Sequence, residues 1–175
     1  MRQNILAGLA ALTLIAGSAF AQSQASQSAN RMTTADHFMT SAAEGGMAEV
    51  EMGRAAVQNA SDPKVKQFGQ RMIDDHTKAN DELKQIASRK NVTLPTSPNA
   101  KQKATLDRLS KLQGAAFDRA YMDDMVKDHK EDVAEFQRAA NSESDPDVKA
   151  FAAKTLPTLQ DHLRMAQEIQ GQIKK

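Results

Sequence analysis

Apolar residues recur every third or fourth position through four long windows of this chain, at about 35–60, 63–90, 115–142 and 146–173. That spacing puts one apolar stripe on each of four helices and leaves no alternating run from which a strand could be built. A shorter window at 101–113 reads as a fifth helix in the connection between the second and third long ones. The starts agree with the periodicity. Ser61-Asp62-Pro63 and Ser144-Asp145-Pro146 each place a capping side chain before a proline at the first helical position, where its missing N–H costs nothing. The one long break, Asn91–Ala100, carries two prolines and reads as an exposed connection.

The two Ser-Asp-Pro starts belong to a repeat with an offset of 83 residues. Val65, Lys66 and Phe68 match Val148, Lys149 and Phe151; upstream, Met39, Val50 and Ala56 match Met122, Val133 and Ala139. The chain therefore reads as two related helical hairpins. Each has an apolar face that it cannot bury alone, and the economical solution is an all-α four-helix bundle with the hairpins face to face.

The first 21 residues read as a signal peptide: Arg2, an apolar run from Ile5 to Ala16, and the small-x-small pattern Ala19-Phe20-Ala21. The run is too short to span a bilayer comfortably and no second one follows, so the mature chain is expected to be soluble and without a transmembrane segment. Residues 22–33 form a polar leader and 34–175 the helical domain. Localisation is expected in the periplasm or at the outer membrane. The absence of cysteine excludes disulfides, thiolate metal sites and cysteine nucleophiles. Without Arg2 the basic and acidic residues balance, and with one Tyr, no Trp and no basic block the chain lacks the features of a nucleic-acid binder.

All four histidines follow an aspartate: Asp36-His37, Asp75-His76, Asp128-His129 and Asp161-His162. His37 falls in the first turn of its helix. The other three fill gaps in apolar seams: His76 between Met72 and Ala79, His129 between Met125 and Val133, and His162 between Leu159 and Ala166. Each should point inward. The first long helix has no equivalent histidine, and its seam is interrupted by Glu49 instead. These four positions lie near the middle of helices of similar length, so at ~1.5 Å per residue their heights should agree within about one turn.

Three imidazoles and one carboxylate at one level could supply an N₃O donor set for a divalent transition metal such as zinc, copper or iron; calcium, which takes oxygen donors, fits poorly. Asp132 is placed to orient a ligating imidazole. Asp75, Asp128 and Asp161 are turned about 100° from their histidines and should flank the seam. Met72, Met125 and Met165 each lie one turn from a central histidine, a copper(I)-friendly pairing that ordinary core filling also explains. The acidic stripe Asp124, Asp128, Glu131 and Glu135 reads either as cation entry or as a solvated face, and Pro157 should disturb the last helix. The other reading of the central residues is a metal-free polar layer that fixes helix register, in a structural or interaction module that meets an envelope protein or a second copy of itself. No Gly-x-Ser-x-Gly or His-Glu-x-x-His motif is present, and nothing assigns an enzyme activity.

Across nearly all of the mature chain the sequence resembles a bacterial family, the domain of unknown function 4142, grouped with ferritin-like helical bundles. The likeness is carried by FMTSAAEGGMAEVEMG (38–53), VKQFGQRMIDDHTKANDELKQIA (65–87), FDRAYMDDMVKDHKEDVAEFQ (117–137) and FAAKTLPTLQDHLRMAQ (151–167). The resemblance implies a ferritin-like fold and an exported location, without a settled activity. The di-iron pattern of ferritin-like proteins needs Glu-x-x-His. No glutamate here has a histidine three residues on, so any metal site should be mononuclear and rich in histidine.

Overall fold

Helix boundaries follow the capping chemistry. In the computed structural model, which describes residues 32–173, the helices are α1 (Thr34–Asn59), α2 (Pro63–Arg89), α3 (Ala100–Leu109), α4 (Gly114–Ser142) and α5 (Pro146–Ile173). No strand occurs among the described residues. The expected signal peptide and most of the polar leader lie outside them.

Thr33 and Asp36 close a reciprocal capping box on α1, and Asn99 and Gln102 close another on α3. Asp62 accepts from Lys64 N ahead of Pro63, and Asp145 accepts from the N–H groups of Asp147 and Val148. The short helix stops four residues before its expected end. Lys111 and Leu112 donate to carbonyls only three residues back, and the chain turns into α4 at Gly114, whose φ of 59° costs a glycine little. Helix α5 runs unbroken through an exposed Pro157.

The short connections 60–62 and 143–145 fold α1 onto α2 and α4 onto α5 as antiparallel pairs. Their apolar faces meet in two clusters. In one, Phe38 stacks edge-on against Phe136 and Phe151 at centroid distances of 4.9 and 6.4 Å, with Leu83, Ile86 and Val148 around them. The other gathers Ala56, Val65, Phe68, Phe117, Tyr121 and Ile169, with Leu109 of α3 buried against it. The first cluster therefore takes the start of α1 and α5 and the end of α2 and α4; the second takes the opposite ends. So α1 and α5 run one way, α2 and α4 run the other, and residues 90–113 cross the length of the helices to join the hairpins. The periodicity alone left that direction open.

Two contacts fix the helices closely. At the α1–α2 crossing a Cβ on Gly53 would stand 2.6 Å from Gly69 O, and one on Gly69 would stand 2.7 Å from Ala56 Cβ. Buried Asp118 of α4 accepts from Ser61 N, Asp62 N and the Ser61 hydroxyl, satisfying the first hairpin loop from the second hairpin. Gly69→Ala should lower the unfolding free energy by about 1–3 kcal/mol, since backbone must move to admit the methyl. Gly171→Ala, where a Cβ meets nothing within 4 Å, should be neutral or stabilising by up to about 1 kcal/mol. Urea titrations of the two variants check both signs.

Candidate metal centre

Between the two apolar clusters lies a layer of four polar side chains, one from each long helix. Glu49 of α1 is 3 % exposed, His76 of α2 6 %, and His129 of α4 and His162 of α5 are fully buried. The three imidazole centroids lie 5.2 to 5.9 Å apart. The four seam interruptions are thus brought together. Exposed His37 stays apart, at the start of α1.

The hydrogen bonds settle which nitrogens carry protons. His129 Nδ1 is 3.0 Å from the Met125 carbonyl, which can only accept, so this nitrogen donates. His162 Nε2 lies 2.8 Å from Asp75 Oδ2, and His76 Nδ1 lies 2.9 Å from Glu49 Oε2; both donate to carboxylates. Burial holds His129 below the usual imidazole range and takes His162 down to about 4, despite the pull of Asp75 and Glu49. These two rings are therefore neutral at pH 7, with one proton each, and both protons face outward. His129 Nε2 and His162 Nδ1 then face each other as bare lone pairs at 3.2 Å. Glu49 Oε1 is 3.4 Å from His129 Nε2 and accepts no hydrogen bond, and His76 Nε2 has no partner. Burial pushes the Glu49 carboxyl up, but the imidazoles of His76, His129 and His162 outweigh it and hold it at about 2.

Lone pairs directed at one another are repulsive unless a cation lies between them. In a tetrahedral site with bonds of about 2.0–2.1 Å, neighbouring donor atoms stand roughly 3.3–3.4 Å apart. His129 Nε2 stands 3.2 Å from His162 Nδ1 and 3.4 Å from Glu49 Oε1, and the three histidines offer nitrogens that all lie within 4.8 Å of one another. The donor set fits a divalent transition metal, and the outward acceptors do what second partners of metal-bound histidines do: they fix tautomer and ring orientation.

Two carboxylates complete the surroundings. Asp75 is the acceptor for His162, and it is held in turn by Arg71 Nε at 3.2 Å. The periodicity placed Asp75 only beside the seam; its link to His162 depends on α2 lying next to α5. Asp132 offers an oxygen within 4.8 Å of donor atoms on Glu49 and His129. Burial, with the charge of Glu49 second, pushes the Asp132 carboxyl well above the carboxylate range. Asp132 stands 83 residues after Glu49, so the repeat offset carried a signal for it that seam counting passed over. Of the acidic stripe, Asp128, Glu131 and Glu135 line a cleft that reaches Glu49, whereas Asp124 pairs with Arg108. Met72 and Met125 are buried, and the Met165 sulfur meets Arg71.

The sequence model of a domain of unknown function, DUF4142, matches residues 19–169. A solved structure titled as a DUF305 fragment from Deinococcus radiodurans is similar in fold, with a TM-score of 0.69 at 15 % identity, over 80 % of this chain and 97 % of that one. Curated proteins give no match.

Acid should act on this layer with a definite sign in the metal-free protein. A histidine held at about 4 when folded and near 6.5 when unfolded leaves stability intact above pH 6.5 and erodes it as pH falls toward 4. The wild type should therefore lose about 2 kcal/mol at this residue between pH 7 and pH 5. His162→Gln lacks that term. The stability gap between the two proteins, measured by urea unfolding with a chelator present, should narrow by that amount at pH 5; an unchanged gap would contradict a neutral His162.

Proposed function

The chain belongs to the DUF4142 family, and from that premise and the geometry above we propose that it is an exported ferritin-like four-helix bundle that binds one transition metal ion, zinc, copper or iron, through Glu49, His76, His129 and His162. Its role in this reading is metal handling or envelope stress tolerance, in the periplasm or at the outer membrane. The observation that carries it is the pair of bare nitrogens, His129 Nε2 and His162 Nδ1, held face to face by outward acceptors that leave neither ring another tautomer.

The bundle reading draws on the one long crossover between two hairpins, the connection pattern of ferritin-like folds. Two related hairpins are supported by the paired Ser-Asp-Pro starts and by Glu49 and Asp132 occupying equivalent repeat positions in one layer. The export reading draws on Met1–Ala21. Among the described residues no helix is long and apolar enough to cross a membrane. No residue is assigned a catalytic role.

A second reading rests on the same chain of hydrogen bonds. One extra proton between His129 and His162 would also join the facing nitrogens, giving a metal-free polar layer that sets helix register. The protein would then be a structural or interaction module of the envelope, meeting a protein partner or another copy of itself.

Protein purified without chelators or a histidine tag should carry close to one zinc, copper or iron per chain by elemental analysis. The His76→Ala/His129→Ala variant, checked for helicity, should carry none. Metal at a hundredfold over its dissociation constant should add about 2.7 kcal/mol of stability to the wild type, while a polar layer gains nothing. No bound metal and no shift after incubation with all three ions would decide for the metal-free reading. Asp75→Ala should leave the ion bound but weaken it roughly 10–100-fold, since His162 loses its orienting acceptor.

A further inference from the structure

A cleft of about 190 Å³ opens between α1, α3 and α4, walled by Ser41, Gln102, Asp128, Glu131 and Glu135, with Glu49 and Asp132 facing it. Lys101 stands at its rim, 3.6 Å from Glu131. The carboxylates would be an ordinary solvated face but for what lies beyond them. Glu49, with its side chain 4 % exposed, lines this cleft, and its Oε1 meets no N–H or hydroxyl donor, only the Asp132 carboxyl that neighbours the Glu49 side chain.

His129 belongs to two candidate donor groups. One joins it to His76 and His162; the other joins it to Glu49 and Asp132. Its Nδ1 is committed to the Met125 carbonyl, so both groups must use Nε2. One nitrogen lone pair binds one metal. Filled through His129, the two groups therefore exclude each other, and they stand as successive positions of a single ion.

Resting on the metal-binding reading above, we propose that Glu49, His129 and Asp132 form a loading station at the end of the acidic cleft, where a divalent ion is held before it passes to the inner histidines. On loading, the ion displaces the proton of the Asp132 carboxyl, which leaves through the cleft to solvent. In the transfer the Asp132 oxygen leaves the ion and takes a proton back from solvent, His76 Nε2 and His162 Nδ1 enter, and His129 and Glu49 remain bound. The oxidation state of the ion does not change. Asp128, Glu131 and Glu135 concentrate cations at the mouth, as clefts lined by one sign of charge do, with rate effects of about 10–10³-fold.

Cobalt(II) is a suitable probe, because its visible absorption is weak with oxygen donors at high coordination and strong in a nitrogen-rich tetrahedral site. Rapid mixing of cobalt with the metal-free protein should give a pale early species and then a strong band, with one cobalt per chain at saturation. Asp132→Asn, an amide of the same shape, should slow the strong band at least tenfold while changing the final affinity less than threefold. Glu131→Gln/Glu135→Gln should lower the association rate and flatten its salt dependence. His162→Gln should stop at the pale species.

Loading of Asp132→Asn at the wild-type rate, or two cobalt ions per chain, would overturn the loading station and leave the metal centre standing. A tenfold loss of final affinity in Asp132→Asn would also overturn it, by making Asp132 a permanent ligand. A wild type that takes up neither cobalt nor zinc would remove the metal centre itself, and the station with it.

Discussion

Burying four ionisable groups between two apolar clusters is expensive, and the architecture is organised around meeting that cost. An unsatisfied buried polar group costs about 1–3 kcal/mol, and more if it is charged. Two of the demands are met from outside the layer, where the Met125 carbonyl takes the His129 proton and Asp75 takes that of His162, and one is met within it, where Glu49 takes the proton of His76. What remains unmet is concentrated on the inner side, at His76 Nε2, Glu49 Oε1 and the facing nitrogens of His129 and His162. The layer thus has satisfied donors on its outer side and, between His129 and His162, two nitrogens that face each other without a proton.

That arrangement depends on register, since the four groups come from four helices and a slip of one turn moves a donor by about 5.4 Å. The fold fixes register at both ends of the hairpins. Asp118 ties the 60–62 loop to α4, and Lys90 bridges Asp145 and Asp147 across from α2 to the start of α5. Between these ends the Gly53–Gly69 approach brings α1 and α2 close enough for Glu49 to reach His76. Phe68 packs T-shaped against His129 and His162 at centroid distances of 6.3 and 6.4 Å and closes the layer toward one apolar cluster.

The parts of this design that depend on a single helix were legible in the sequence. A gap in a seam is a local property of period 3.6, and it placed His76, His129, His162 and Glu49 at the centre without reference to any neighbour. Parts that depend on which helix adjoins which were not. Asp75 sits a hundred degrees from His76 on its own helix, and only the proximity of α5 turns it into the acceptor for His162. The cleft was hidden for the same reason: its acidic wall reads equally as cation entry or as a solvated face until α3 is known to lie against α1, where Asn99 donates to Glu44 at 3.0 Å. Asp132 is the intermediate case: its spacing on its own helix suits it to orient an imidazole, and the 83-residue repeat offset pairs it with Glu49.

A proton and a metal ion would stabilise the centre in different ways, and the geometry separates them. A proton between His129 and His162 satisfies two nitrogens along one line and leaves His76 Nε2 and Glu49 Oε1 as they were. It also places a positive charge on rings whose burial already disfavours it. A metal ion set among the three imidazoles, whose nitrogens lie within 4.8 Å of one another, would take up the facing nitrogens of His129 and His162 together, with the Glu49 carboxylate beside them to offset its charge. The unpartnered His76 Nε2 thus favours an ion as much as the histidine pair does, since a proton shared by His129 and His162 leaves that atom as it is.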